Sequence, residues 1–301
     1  NLTSYGATAL AIITFEAFSG LWINAFIIYV LCMGWFKKKT LNSNEKILLL
    51  LGCSRFCYLC ISWVYSFLSI IYPHHIFVYP RLQLAEGAHS FSDFSNLWVS
   101  ACLCIFYCIK IANFRNSFFI YLKVRIDRMV PWLLLLSVLF SLVIGILFYV
   151  ISDKLHCKNS TGQRSLWEVK YKKNDHFFLI YFIIGFVFAT SFMGVIFPAL
   201  LLLFSLWRHK RNMQTNSMKD LSMDAHIRAM KSILSFFVMY NINIISFIVT
   251  TIYSTDGEHP IIFLLYVFLY AFPGVHSLIL IFSNPKLKNT LLRILLCVKC
   301  K

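Results

Sequence analysis

Seven stretches of this chain are each long and apolar enough to cross a bilayer, and that leaves few folds open. They run Gly6–Met33, Lys46–Tyr72, Gly87–Ile111, Met129–Ile151, Phe177–Trp207, Ala229–Tyr253 and Ile261–Phe282. A hydrocarbon core of about 30 Å takes about 20 helical residues. In lipid a segment of this length satisfies its own backbone groups only as a helix. The predicted fold is therefore an all-α membrane protein, a seven-transmembrane-helix bundle in one domain over residues 1–301. Charged residues make up 13% of the chain, well under the roughly 25% of soluble domains. The opening run lacks the basic start of a cleavable signal and is taken as the first span. The third run is the most polar, with Gly87, His89 and Asp93 in its first half. Such a helix suits the wall of a wet cavity better than a lipid face.

Orientation follows from the basic residues. By position, 20 of the 28 Lys and Arg lie on or beside loops one, three and five and the tail, seven lie on the other loops, and Arg55 is inside a span. The basic side is predicted to be cytoplasmic and the N-terminus outside, in a multi-pass protein of the plasma membrane. One loop dissents, since Ser152–Asp175 is external and holds six Lys and Arg. The net charge of +16 does not point to nucleic acid. The basic clusters are separated by apolar runs and form no phosphate-tracking face. Asn159-Ser160-Thr161 in the external loop is a glycosylation acceptor sequence.

Ionisable groups inside spans are costly and read as functional. Arg55 is expected to face the bundle interior, with Glu16 and Asn24 of the first helix as candidate partners. His276 in the seventh span needs a partner too, and Ser277 and Pro273 lie beside it. Most of the ten cysteines lie inside apolar runs, where a thiol acts as a small hydrophobe, so no disulfide framework follows. Cys297 and Cys300 in the basic tail fit palmitoylation chemistry. The external histidines lack paired spacing with Cys or carboxylates, so neither a metal nor a cofactor is expected. No Gly-x-Ser-x-Gly, His-rich helix or intramembrane carboxylate pair is present, and no enzyme is predicted.

An ordered set of short motifs runs through the spans. It comprises Asn24-Ala25-Phe26-Ile27, Ser54-Arg55, Trp98, Phe106-Tyr107, Lys110-Ile111-Ala112-Asn113-Phe114 and Phe204-Ser205-Leu206-Trp207-Arg208-His209. Ala225-His226, Ala229-Met230-Lys231, Tyr240, His276-Ser277 and Asn284-Pro285-Lys286-Leu287-Lys288 complete it. Between Asn24 and Lys288 the chain resembles the type 2 taste receptors, the bitter receptors. The resemblance implies a receptor for bitter small molecules that signals through a heterotrimeric G protein, gustducin-like or of the Gi type. It departs from the family at Pro198, two turns nearer the cytoplasm than the expected helix-five proline, where Ser191 stands. Vomeronasal type 1 pheromone receptors share the pattern around His276-Ser277, and a transporter or channel is the reading from another class.

The resemblance implies that Trp98 contacts agonists and that Tyr240 is a switch. Helical spacing adds Ser95, Val99 and Cys102 beside Trp98, and Asn243, Ile244 and Phe247 beside Tyr240. Tyr266 and Tyr270 are one turn apart in the seventh span. Together these ten form the predicted ligand pocket, aromatic and poor in hydrogen-bonding groups, suited to apolar or amphipathic compounds. Lys110, Arg208, His209, His226, Arg228 and Lys231 flank the cytoplasmic ends of helices three, five and six and are the predicted G-protein surface. Asn24, Arg55, Tyr240, His276 and Ser277 are predicted to form the intramembrane structural switch, and membrane lipid is the remaining partner.

Overall fold

The computed structural model describes residues 4–72, 80–111, 116–157, 175–213, 230–246 without 232, 236, 239 and 243, and 260–299. Helices α1 Ser4–Lys38, α2 Ser43–Ile71, α3 Arg81–Ile111, α4 Ser117–Cys157 and α5 Asp175–Met213 lead the order. An apolar helical stretch Ile233–Ser246 is α6, followed by α7 Pro260–Ser283 and α8 Pro285–Lys299. Helices α1 to α7 coincide in order with the seven apolar runs. Among the described residues α1 to α4 each meet the length and hydropathy of a span, and α7 does so when joined to α8.

The helices outrun the apolar runs, because helix formation does not stop at the hydrocarbon boundary. Helix α3 begins at Arg81 rather than Gly87, and α4 begins at Ser117 rather than Met129. The 41 residues of α4 make about 60 Å at 1.5 Å per residue, twice the hydrocarbon thickness. Cys157, read from sequence as a loop cysteine, is its last residue. Helix α5 runs unbroken through Pro198. Helix α1 ends where Lys39 enters the left-handed region at φ 54°. The Lys39 N–H then donates to the Trp35 carbonyl at 2.7 Å, closing the last turn as a left-handed cap does.

Helix α3 packs against α2, α4 and α5, while α1 packs against α2 and α7. One apolar core joins Leu31, Ile47, Leu51, Val99, Leu103, Ile126 and Leu280 from five helices. A second gathers Phe94, Leu97, Val195, Tyr240 and Phe272 on the side of α3 that faces α5 to α7. Large apolar side chains on the outside, including Phe15, Trp22, Trp132 and Phe197, are more than half exposed. On a soluble surface such a shell would aggregate, whereas in a bilayer it meets its own solvent.

Two glycine contacts set the helix spacing, as small residues do where lipid gives no hydrophobic drive between helices. A Cβ on Gly145 would stand 2.9 Å from the Gly87 carbonyl oxygen and 2.9 Å from Phe91 Cβ. A Cβ on Gly274 would lie 3.2 Å from Gly20 Cα. Gly145→Ala must therefore push α4 away from α3, and we expect it to cost about 1–3 kcal/mol. A thermal midpoint in detergent equal to that of the unaltered chain would show that the helices separate freely.

Candidate functional site

The Arg55 side chain is 0% exposed, and its guanidinium reaches α3 and α7 at once. The Nε–H donates to Asn96 Oδ1 at 2.9 Å, Nη1–H to Ser277 Oγ at 2.8 Å and Nη2–H to Ser100 Oγ at 3.3 Å. Nη2 also donates to His276 Nδ1 at 2.5 Å. Arginine has no lone pair to offer, so Nδ1 is the acceptor and the imidazole proton sits on Nε2. Ser277 passes the chain on to Asn24 Oδ1 at 2.8 Å, and Asn24 Nδ2–H donates to the Gly20 carbonyl at 2.8 Å. Four of the five expected switch residues, Asn24, Arg55, His276 and Ser277, thus form one network joining α1, α2, α3 and α7, while the fifth, Tyr240, lies in the second core. Glu16, the partner expected on charge, is not in it. The guanidinium is met by neutral acceptors, and Asn24 enters through Ser277 rather than directly. Asn96 and Ser100 escaped the sequence reading, although Ser100 follows Asn96 at one helical turn.

The predicted ligand residues separate into distinct places. Trp98 packs against the second core, to which Tyr240, Ile244, Phe192, Phe237 and Phe272 also belong, its indole edge-on to Phe140 at 5.4 Å. Tyr240 is fully buried and stacks on Phe192 at 6.1 Å between ring centres. Ser95 turns to α2, where its hydroxyl meets Ser54 Oγ at 3.0 Å. Val99 and Cys102 lie in the first core, and the Cys102 thiol pairs with Ser137 of α4 at 3.3 Å. Tyr270 donates to the Ser62 carbonyl at 2.7 Å and packs with Ile13, Ala17 and Leu59. Trp98, Tyr240 and Ile244 are brought together; Ser95, Val99, Cys102 and Tyr270 point elsewhere. Asn243, Phe247 and the Tyr266 side chain lie outside the described residues. Phenylalanines of the same core, among them Phe94, Phe192, Phe237 and Phe272, extend the aromatic cluster. Phe94 was legible one turn before Trp98, as was Phe272 one turn before His276.

Phe272 connects the two halves of the site. It belongs to the cluster around Trp98 and Tyr240, and its ring lies parallel to the His276 imidazole, 6.1 Å between centres and 6° between planes. Phe272 is thus a member of the second core and a ring partner of the imidazole that Arg55 holds.

At the opposite end Lys110 donates to Asp127 at 2.5 Å, bridging the end of α3 and the start of α4. Arg208 and Lys231 are exposed. His226, Arg228 and the His209 side chain lie outside the described residues, as do Asn159 and Cys300. Cys297 is exposed on α8, a helix absent from the sequence reading.

The family model described as taste receptor protein (TAS2R) matches residues 2–299. Taste receptor type 2 member 7 of Macaca mulatta is 32% identical over 98% of this chain and 94% of its own length. Member 114 of Mus musculus is 32% identical over 99% of this chain and 96% of its own. Member 9 of Homo sapiens is 30% identical over 98% and 95%.

The network makes its own demand. Arg55→Ala leaves several buried acceptors without a donor, at about 1–3 kcal/mol each, so a loss of about 3 kcal/mol or more in folding stability is expected. Arg55→Lys keeps the charge without the planar fork and should recover only part of it. Thermal unfolding of the purified variants checks both, and an alanine variant of full stability would refute the network's role.

Proposed function

We propose, because the chain belongs to the TAS2R family of seven-helix taste receptors, that it detects bitter small molecules at the aromatic cluster around Trp98 and Tyr240. Membership makes it a G-protein-coupled receptor and not an enzyme, and favours the taste-receptor reading over the pheromone-receptor and transporter alternatives. The ligand walls are Trp98, Tyr240 and Ile244 with Phe94, Phe192, Phe237 and Phe272. Apolar and amphipathic compounds suit such walls, since burial and stacking hold them with few fixed polar contacts. Ser95, Val99, Cys102 and Tyr270 support the cluster from behind, through their contacts with α2 and α4.

The observation that carries this reading is Phe272. A compound that displaces packing around Trp98 and Tyr240 presses on the ring that lies against His276, and so on the acceptor of an Arg55 N–H. Binding then bears on a network shared by α1, α2, α3 and α7. The output is a heterotrimeric G protein, gustducin-like or of the Gi type. It is received at the cytoplasmic end by Lys110, Arg208, His209, His226, Arg228 and Lys231. Lys110 must exchange Asp127 for the partner. The basic loops support a cytoplasmic C-terminus in the plasma membrane and an external Asn159.

Loss of the stacked indole in Trp98→Ala should cost on the order of 1–3 kcal/mol of binding, an EC50 shift of roughly one to two decades. Dose–response curves for agonist-driven nucleotide exchange, normalised to surface expression, measure it. An unchanged EC50 for several unrelated bitter agonists would move the pocket elsewhere. Orientation has its own test: Asn159→Gln should abolish a glycosidase-sensitive mass shift. Glycan on an acceptor engineered between Thr215 and Asp220 would invert the topology.

A further inference from the structure

The geometry points to a binding site for a polyanionic phospholipid headgroup, of the phosphoinositide class, at the seam where α1 ends and α8 begins. Two basic clusters far apart in sequence meet there. Lys37, Lys38 and Lys39 stand at the end of α1, where the left-handed turn at Lys39 stops the helix. Lys286 and Lys288 open α8. The seam is tight, since a Cβ on Gly34 would fall 2.6 Å from Lys286 Nζ.

The nearby carboxylate is already taken. Glu45 Oε1 accepts from Lys286 Nζ at 2.5 Å and Glu45 Oε2 accepts the Asn42 N–H at 3.1 Å. Lys38 lies near enough for its charge to act on Glu45, but both oxygens are occupied. Lys37, Lys38, Lys39 and Lys288 are exposed, and among the described residues none is paired with a carboxylate. Four cations around one seam exceed what a singly charged headgroup neutralises.

The apolar surroundings fit the rest of a lipid. Asn284 Oδ1 accepts the Lys286 N–H at 3.0 Å and the Leu287 N–H at 3.4 Å, capping α8 as it turns 97° from α7. A helix at that angle to a spanning helix lies along the membrane plane. Leu287 is buried against the bundle, while Leu292, Leu295 and Leu296 are 44%, 55% and 61% exposed. Trp35 and Phe36 at the end of α1 are exposed beside the lysines, at the depth where interfacial aromatics sit. Acyl chains meet the leucines and the headgroup meets the lysines. The bias of basic residues towards the cytoplasm explains that lysines are present on this side. It does not explain why the end of α1 and the start of α8 meet, with Lys38 and Lys286 both drawn to one satisfied acid, whereas juxtamembrane clusters of four or more bases bind anionic lipid.

The site rests on the proposed orientation only for which leaflet supplies the lipid. The test therefore uses purified full-length receptor in nanodiscs, where both faces are open. Phosphatidylcholine discs are titrated with phosphatidylinositol bisphosphate, and bound lipid is counted by native mass spectrometry. Lys37→Gln/Lys38→Gln/Lys288→Gln should weaken retention roughly tenfold or more. Lys123→Gln/Arg125→Gln/Arg128→Gln, with the same charge removed at α4, should change it less than about twofold. Lys37→Arg/Lys38→Arg/Lys288→Arg should retain the lipid, which separates lost charge from lost folding. Equal weakening in both glutamine triples would overturn the site, as would undiminished binding in the first. So would soluble inositol trisphosphate competing as strongly as the intact lipid. An inverted glycan result would leave these binding ratios untouched and move only the leaflet.

Discussion

A positive charge buried without a carboxylate is the constraint around which this bundle is built. Taking an isolated guanidinium out of water costs several kcal/mol even after relaxation, and Arg55 is fully enclosed. The cost is offset by spreading the charge over Asn96, Ser100, His276 and Ser277, each a charge-assisted bond stronger than a neutral one. These acceptors come from two helices, and Ser277 extends the chain to a third through Asn24. The four helices must therefore keep their register for the charge to remain solvated. A carboxylate partner would have let one helix pair carry the whole load. The neutral set makes the solvation collective, and any shift of α7 is felt at Arg55.

The aromatic cluster lies against that polar centre and takes its shape from it. His276 presents Nδ1 to the guanidinium, and this fixes the plane on which Phe272 lies parallel. Phe272 shares the second core with Trp98, Tyr240 and Phe192, the last two stacked on each other. The polar network thus borders the aromatic cluster that we propose as the ligand site.

Much of this was legible because a bilayer demands continuous apolar length, and the helices α1 to α7 fall on the seven runs in order. Arg55, His276 and Ser277 were legible for the same reason, being polar where polarity is expensive. The partners were harder. Charge alone favoured Glu16, yet a helix surface offers neutral acceptors that only the packing brings within reach. Helical spacing grouped Ser95, Val99 and Cys102 with Trp98, but in a helix buried on several sides one turn touches more than one neighbour. Ser95 meets α2, Cys102 meets α4 and Trp98 meets the second core. Tyr270 went to Ser62 because a buried phenol seeks an acceptor. The ends of α4 and the whole of α8 were missed because hydropathy marks the membrane, and helix formation continues past it.

The contact between Gly87 and Gly145 has a mechanical meaning. Where side chains separate two helices, rotamer changes let them slide by small steps. Here a backbone carbonyl of α3 lies against α4 with no side chain between, so no rotamer exists to absorb displacement. Sliding α3 along α4 would drive backbone into backbone at this point, so the pair resists translation more than helices spaced by side chains do. On the side of α3 that faces α5 the fit is looser: a Cβ added at Gly194 would meet Ala101 Cβ only at 3.5 Å, an ordinary van der Waals contact, so a side chain has room there that it lacks at Gly145.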